Sequence, residues 1–221
     1  MAQVIADRHY IPAAGHHWRL PFYDLMARLV GADPARRLLA EQVAPGPGGR
    51  VLDVGTGTGT LAVEIKRRFP HADVVGLDPD PRAIARARRK AERAAVAIRF
   101  DQGFADALPY PDAAFERVAC SLMFHHLPAA VKERSLHEIR RVLEPGGRFH
   151  MLDFDGPADG AGFVTRHLHA DPQLRDNAED RVLALLSAAG LQDARVVGRR
   201  AARLTRMCYY QAHVPVRRSP G

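Results

Sequence analysis

Cysteine is nearly absent: Cys120 and Cys208 are the only two in 221 residues, and they lie far apart in the chain. A secreted disulfide scaffold of this size would carry more, so both read as reduced thiols, one of them inside an apolar strand. Lysine is also scarce. It occurs only at 66, 90 and 132, so the 32 basic residues are nearly all arginine. They scatter as Arg36-Arg37, Arg67-Arg68, Arg86 to Lys90, Arg140-Arg141 and Arg199-Arg200, and are expected on solvated helix faces. No basic stripe interleaved with aromatics appears, which argues against a nucleic-acid partner despite the net charge of +7. No stretch reaches the roughly 18 uninterrupted apolar residues of a membrane helix. The first twenty residues, with Asp7, Arg8, His9, His16 and His17, lack the apolar centre of a secretory signal. A cytoplasmic location without membrane insertion is therefore expected.

What is present is an ordinary globular composition, 47% apolar and 26% charged. The length suits one substantial α/β domain and is short for two. Short β-branched runs alternate with helical patterns, the signature of a parallel sheet with crossover helices. Strands are predicted at 50–54, 72–77, 97–101, 115–120 and 148–154, with two more near 195–197 and 203–210. Leu61, Ile65 and Phe69 mark one face of a helix over 60–69. Asp80 is expected to cap the next helix, with Pro81 at its first position. A third helix follows Pro128, with Val131, Ile139, Val142 and Leu143 buried, and ends at Pro145-Gly146-Gly147. A fourth spans 178–189 and stops at Gly190. Before the first strand, Phe22, Leu25, Met26, Leu29 and Val30 recur at helical spacing, and Asp33-Pro34 starts a second short helix.

Chemistry concentrates in two strand ends. Residues 51–61 read VLDVGTGTGTL, with Gly55, Gly57 and Gly59 where a strand turns into a helix. A glycine-rich turn of this kind is shared with dinucleotide-binding folds, but their fingerprint places the third small residue at position 60, here Thr60. Asp53 stands two residues before the first glycine; a carboxylate there repels a pyrophosphate and suits an ammonium group. Asp78 ends the second strand in VVGLDPD, where a carboxylate can accept both hydroxyls of a ribose. A ligand with a cationic amino-acid end and a nucleoside end satisfies both.

The segments VLDVGTGTGTLA, VVGLDPD, ALPYPDAAFERVACSLMFHHL and EIRRVLEPGGRFHMLDF resemble, in order and spacing, the class I S-adenosylmethionine methyltransferases. They look most like the branch with the ubiquinone and menaquinone C-methyltransferases. The resemblance implies a Rossmann-like three-layer α/β sandwich whose seven-stranded, mostly parallel sheet has its last strand antiparallel. It implies one domain over 1–221: a helical cap over 1–45, a cofactor-binding core over 50–155 and an acceptor-side part of the sheet over 156–221. The implied cofactor is S-adenosyl-L-methionine, with S-adenosyl-L-homocysteine as product. It would be held by Asp53, Gly55, Thr56, Gly57, Gly59, Asp78, Pro79, Phe104, Ala105, Asp106, Ser121 and Tyr23. The family usually has an aspartate for the adenine amino group where this chain has Phe104. Adenine is then left to the Ala105 amide, to stacking on Phe104, or to Asp106.

The end of the fourth strand, SLMFHHL, faces the transferred methyl in this family. His125 and His126 are candidate bases, because imidazole titrates near neutrality; the alternative gives them packing roles. Zinc is disfavoured, since no third and fourth ligands follow at suitable spacing and His167 and His169 do not supply them. Trp18 and Tyr23 are candidates for a pocket wall or a cofactor contact, against a role in packing for Phe22 and Trp18. The acceptor is a small organic molecule offering oxygen, nitrogen, carbon or sulfur. Two other readings stay open: a methyltransferase-fold protein that binds without catalysis, and an RNA methyltransferase. Monomer and homodimer are both compatible with the sequence.

Overall fold

The computed structural model describes residues 32–154, 177–201 and 206–216. The helix expected around Phe22 to Val30 lies outside them, as do the candidate residues His16, His17, Trp18, Tyr23, His167 and His169. Within them the chain forms α1 (Ala32–Val43), β1 (Arg50–Val54), α2 (Thr60–Arg68), β2 (Asp73–Asp78), α3 (Pro81–Arg93), β3 (Arg99–Gln102), β4 (Phe115–Ser121), α4 (Ala129–Val142), β5 (Leu143–Phe154), α5 (Glu179–Ala188), β6 (Gln192–Ala201) and β7 (Arg206–His213). The seven strands make one sheet in the order β3-β2-β1-β4-β5-β7-β6. Strands β1 to β5 pair in parallel, and β7 runs antiparallel to both β5 and β6. This is the expected mostly parallel sheet with an antiparallel strand toward one end.

Each face of the sheet carries its own core. Val51, Ala119, Leu152 and Tyr209 meet Leu39 and Val43 of α1, Leu61 and Ile65 of α2, and Ile84 and Ala87 of α3. On the other face Val54, Val118, Phe149 and Met151 meet Leu136 and Ile139 of α4 and Val182 and Leu186 of α5. Strands buried on both faces read as continuous apolar runs, which is why β1 and β2 were legible. Both cysteines lie inside strands, buried and unbridged. No helix of the described residues is long and apolar enough to cross a membrane.

Asp80 caps α3 as expected, its carboxylate accepting the Arg82 amide at 2.8 Å with Pro81 at the start of the helix. Other boundaries differ. Helix α4 ends at Val142, before Pro145-Gly146-Gly147, because β5 already pairs with β4 at Leu143 opposite Phe115. The register then shifts before Arg117, so the proline and glycines form an irregular start to the strand rather than the helix stop. Val131, expected in the core, is half-buried, and Leu136 takes the core position instead. Strand β6 is longer than its short apolar run because pairing with β7 extends it into arginines. The reading of Arg36-Arg37 as solvated holds for Arg37 and fails for Arg36, which is 5% exposed.

Two features tie distant segments. The Tyr209 hydroxyl of β7 donates to the Ala35 carbonyl of α1 at 3.1 Å, fastening α1 to the sheet. In β5, His150 lies between Ala119 and Gln211, 1% exposed, and neither ring nitrogen has a hydrogen-bond partner. Burial, together with the charges of Arg117 and Arg148, pushes its pKa down to about 3. The folded state therefore keeps this ring neutral, while the unfolded chain takes up a proton below its ordinary value near 6.5. Stability from this site is intact above pH 6.5 and is lost as pH falls toward 3.

His150→Leu is expected to remove that part of the acid sensitivity. At 1.36 kcal/mol per pKa unit the wild-type penalty reaches roughly 3 kcal/mol near pH 4. Urea titrations at pH 7 and pH 4 should show the variant losing less stability between them than the wild type; identical losses would refute the assignment.

Candidate functional site

Strands are added leftward from β1 to β3 and rightward from β4 onward, so the chain switches direction between β1 and β4. Such a switch opens a crevice at the carboxyl ends of the strands. A cavity of about 450 Å³ lies there, within the usual range for small-molecule sites. Of the residues the sequence nominated, Asp53, Gly55, Thr56, Gly57, Asp78, Pro79, Phe104, Ala105, Asp106, Ser121 and His126 line it. Gly59 does not. It begins α2 at φ 78°, and a Cβ there would stand 2.8 Å from the Ala87 Cβ of α3, so its missing side chain lets two helices approach.

The glycine loop turns its amides inward. The Leu77 carbonyl accepts from Gly55 N at 2.8 Å and from Thr56 N at 2.9 Å. Gly57 N donates to Asp78 Oδ2 at 2.8 Å, and Gly59 N donates to the Thr56 carbonyl at 2.9 Å. A loop built for a pyrophosphate would present such amides to the ligand; here four of them are committed within the protein. Gly57 instead offers bare backbone, because a Cβ on it would meet nothing within 4 Å.

The cavity's polarity therefore comes from side chains. Asp78 accepts Gly57 N and Asp80 N, one on each oxygen, which fixes the carboxylate while leaving lone pairs toward the cavity. Burial raises its pKa to about 6, against the lowering effect of the two amides. Asp53 is 1% exposed and accepts the Thr56 hydroxyl on Oδ2 at 2.7 Å. Its Oδ1 is buried without a hydrogen-bond partner. Burial lifts Asp53 to about 7, opposed by Thr56 and by the charge of Arg36. Arg36 reaches the same cavity from α1 and donates its Nε to Ser121 Oγ at 3.0 Å. The sequence reading missed this residue. Its signal was an arginine set among Ala32, Ala35, Leu39, Ala40 and Val43, the buried stripe of α1.

A second wall is residues 103–106, the stretch the resemblance assigns to the adenine. Phe104 lines the cavity in place of a carboxylate, and the Asp106 carboxylate is engaged by Arg134 at 2.9 and 3.2 Å. The loop behind is clamped to α4: Leu108 N donates to Glu138 Oε2 at 2.8 Å, and Arg141 donates to the carbonyls of Leu108 and Tyr110.

The third wall is Leu122, Met123, His126, Leu127, Val131 and Arg134. Leu122 holds φ 55°, a conformation that costs a side-chain-bearing residue of order 1–3 kcal/mol. It turns the chain from β4 into a short 3-10 helix, Phe124–His126. The two histidines separate there. His125 is buried, with Nδ1 2.5 Å from Asp153 Oδ1, and its amide donates to the same carboxylate. Burial alone would raise Asp153; His125 and the amides of Phe154 and His125 hold it below the usual carboxylate range. His126 lines the cavity, its ring centroid 3.9 Å from that of His125 and tilted 43° to it.

Comparisons with known proteins agree with this geometry. A methyltransferase-domain family model matches residues 51–147. A demethylmenaquinone methyltransferase of Thermus thermophilus is 46% identical over 153 residues, 66% of this chain and 67% of that protein. Another, of Deinococcus radiodurans, is 44% identical over 144 residues, 63% of this chain and 58% of that protein. The chain thus spans under two thirds of the Deinococcus relative's length. Among solved structures, the YcgJ protein of Bacillus subtilis superposes with a TM-score of 0.70 at 21% identity, covering 82% of this chain and 98% of that one. The (4+2)-cyclase SpnF does so with a TM-score of 0.72 at 20% identity, over 95% of this chain and 100% of that one. These two show the fold alone. The chain belongs to the class I S-adenosylmethionine-dependent methyltransferases, in the branch with the ubiquinone and menaquinone C-methyltransferases.

Proposed function

We propose that the chain transfers a methyl group from S-adenosylmethionine to a small, largely apolar acceptor in the cytoplasm. The observation that carries this reading is Asp53 Oδ1, a buried carboxylate oxygen without a partner in a cavity whose loop amides are turned away. A cationic group is the ligand that such an atom lacks, and the bare backbone at Gly57 leaves room beside it. The residues present fit the cofactor: Asp53 for the ammonium, Asp78 for the ribose, Phe104 and Ala105 for the base. When bound, S-adenosylmethionine supplies a methyl group already activated on a positively charged sulfur.

The protein's task is then to align the acceptor and exclude water, an effect worth roughly 7–11 kcal/mol. Leu122, Met123, Leu127 and Val131 give the acceptor side an apolar wall. That wall fits an aromatic or quinone-like ring, the acceptor class in the names of the two curated relatives. A hydroxyl or carbon acid must lose a proton as the methyl arrives. His126, which lines the cavity, would take it, with His125, held by Asp153, positioning it; the contact between the two rings supports this reading.

A second reading is binding without transfer. It is favoured by the adenine wall, where Phe104 replaces the family's aspartate and Asp106 is engaged by Arg134. The (4+2)-cyclase shows that this fold is not tied to one reaction.

Calorimetry with S-adenosylhomocysteine should give a dissociation constant well below a millimolar, and Asp78→Ala should weaken it about 10- to 100-fold. No binding by the wild type, or no change in the variant, would refute the cofactor assignment. Binding without methyl transfer to any of a panel of hydroxylated aromatic and quinol acceptors would favour the second reading.

Affinity should also depend on pH. Asp53 must be ionised to receive an ammonium group, and in the empty site it titrates at about 7. Binding should therefore tighten about tenfold from pH 6 to pH 8, with proton release at the lower end. Asp53→Asn should bind more weakly and without that slope; a slope retained in the variant would assign it elsewhere.

His126→Asn should lower kcat toward a phenolic acceptor about 10²- to 10⁴-fold and remove the rising acid limb of its pH profile. His125→Asn should lower kcat less and leave that limb in place. Equal effects of the two variants would contradict the division of roles.

A further inference from the structure

Helix α3 carries most of the chain's net charge. Its 13 residues hold six arginine or lysine side chains and one glutamate, a net charge of +5 within a chain total of +7. Two of the six are used inside the protein. Arg88 donates to the Phe100 carbonyl at 3.0 Å, and Lys90 donates to the Thr58 and Thr60 hydroxyls at 2.9 and 2.7 Å. The other four are Arg82, Arg86, Arg89 and Arg93. Their spacing of four, three and four residues places them within about 60° of arc around the helix. The buried positions Ala83, Ile84, Ala87 and Ala91 lie on the opposite side. The four guanidinium groups thus form one outward stripe, about 16 Å long.

Nothing in the protein answers this stripe. Arg89 donates only to the Ala85 carbonyl of its own helix at 3.3 Å, and among the described residues none of the four has a carboxylate within 4.0 Å. Exposed arginines elsewhere do, as Arg68 with Glu41, Arg134 with Asp106 and Arg199 with Glu179 show. Like charges three and four residues apart weaken a helix. Arg82 adds a cation to the first turn, where the helix dipole favours an anion. An anionic surface outside the molecule relieves both effects.

The character of that surface follows from what surrounds the stripe. Besides arginine, the exposed residues of α3 are Pro81 and Glu92. The helix therefore offers no aromatic ring for stacking on a base and no amide for reading its edges. It packs on β2 and on β3, the strand at one edge of the sheet. A row of guanidinium groups on such an outer helix matches a plane of phosphates. The stripe also begins beside the cavity, because Asp80, which caps α3, and Pro79 line it.

We propose that the outer face of α3 docks the protein on an anionic membrane surface, with its Arg82 end next to the cavity. The choice of a bilayer over another polyanion rests on the apolar-acceptor reading above, since such a molecule concentrates in lipid. The contact is electrostatic and superficial: α3 exposes no large apolar side chain to enter the bilayer. It is accordingly sensitive to salt.

The test is sedimentation of the full chain with lipid vesicles, which needs neither cofactor nor acceptor. Vesicles with about a third phosphatidylglycerol should carry the protein down at low salt, and pure phosphatidylcholine vesicles should not. Raising the salt to about 0.5 M should release it. Each arginine near an anionic bilayer is worth about a fivefold factor in affinity, so changing Arg82, Arg86, Arg89 and Arg93 together to Gln should weaken binding about 10²- to 10³-fold. The same four changed to Lys should retain it, because a plane of phosphates reads charge more than fork geometry. A control with Arg37, Arg140, Arg195 and Arg200 changed to Gln removes the same charge from other surfaces and should lose no more than about tenfold.

No binding of the wild type to the anionic vesicles would overturn the proposal. Equal losses in the stripe and control variants would also overturn it, and would reduce the effect to net charge. Duplex RNA bound through the stripe, with vesicles ignored, would overturn it in favour of a nucleic-acid partner. Absent vesicle binding with intact S-adenosylhomocysteine binding removes the docking surface alone and leaves the methyltransferase reading in place. Thermal melts identify any folding defect in the Gln variant, and the salt and lipid dependence of the wild type then decides.

Discussion

The hydrogen bond from Gly57 N to Asp78 Oδ2, with the two amides that Leu77 O collects beside it, sets the character of this site. Together they pull the glycine loop onto the end of β2. The same stretch of backbone could have been an anion-binding nest, since a strand–glycine–helix turn presents amides at a positive helix end. Once those amides are turned inward, residues 55, 56, 57 and 59 offer a ligand no backbone donor. What it recognises is decided by the few side chains that reach it, and the nearest of these, on β1 and β2, are carboxylates.

That constraint explains the unusual electrostatics. Asp53 and Asp78 are both buried and both pushed upward by burial, in the direction of the neutral acid. The protein leaves Asp53 Oδ1 without a partner, while the buried guanidinium of Arg36 bonds Ser121 and pairs with Asp33 rather than with Asp53. The bare oxygen is unfavourable in the empty site, where a polar atom removed from water goes uncompensated. Sites shaped for a charged ligand accept such a penalty, since the ligand's own charges relieve it on binding.

The opposite wall follows a different logic. The left-handed turn at Leu122 ends β4 and folds the next residues into a short helix, so that one histidine is buried and the other faces the cavity. Asp153 on β5 fixes the buried ring. Apart from Arg134 the remaining lining there is apolar, so ligand alignment on this side depends largely on shape and on exclusion of water. The two halves of the cavity thus divide along the strands: β1 and β2 supply charge, while β4 and the segment after it supply surface.

Much of the fold could be read from local pattern. The strands β1, β2 and β4 are apolar runs, α3 has its aspartate cap and N-terminal proline, and VLDVGTGTGTL with VVGLDPD gives carboxylates at two neighbouring strand ends. These depend on short-range steric and hydrogen-bond rules that hold wherever the segment lies. The full lengths of β6 and β7, the early start of β5 and the core role of Leu136 were not legible, because strand pairing and packing against distant segments fix them. Arg36 is the clearest case. By sequence it is one arginine among many in an arginine-rich chain, and only its place on an apolar stripe marks it. Likewise the pair His125-His126 is symmetrical in sequence and becomes unequal only when Asp153 takes one ring. The sequence by itself determined the strand-end carboxylates and the glycine turn, since these are consequences of local backbone geometry. Tertiary structure alone decided which carboxylate oxygen stays without a partner and which histidine faces the cavity, because those depend on side chains brought together from separate strands and a helix.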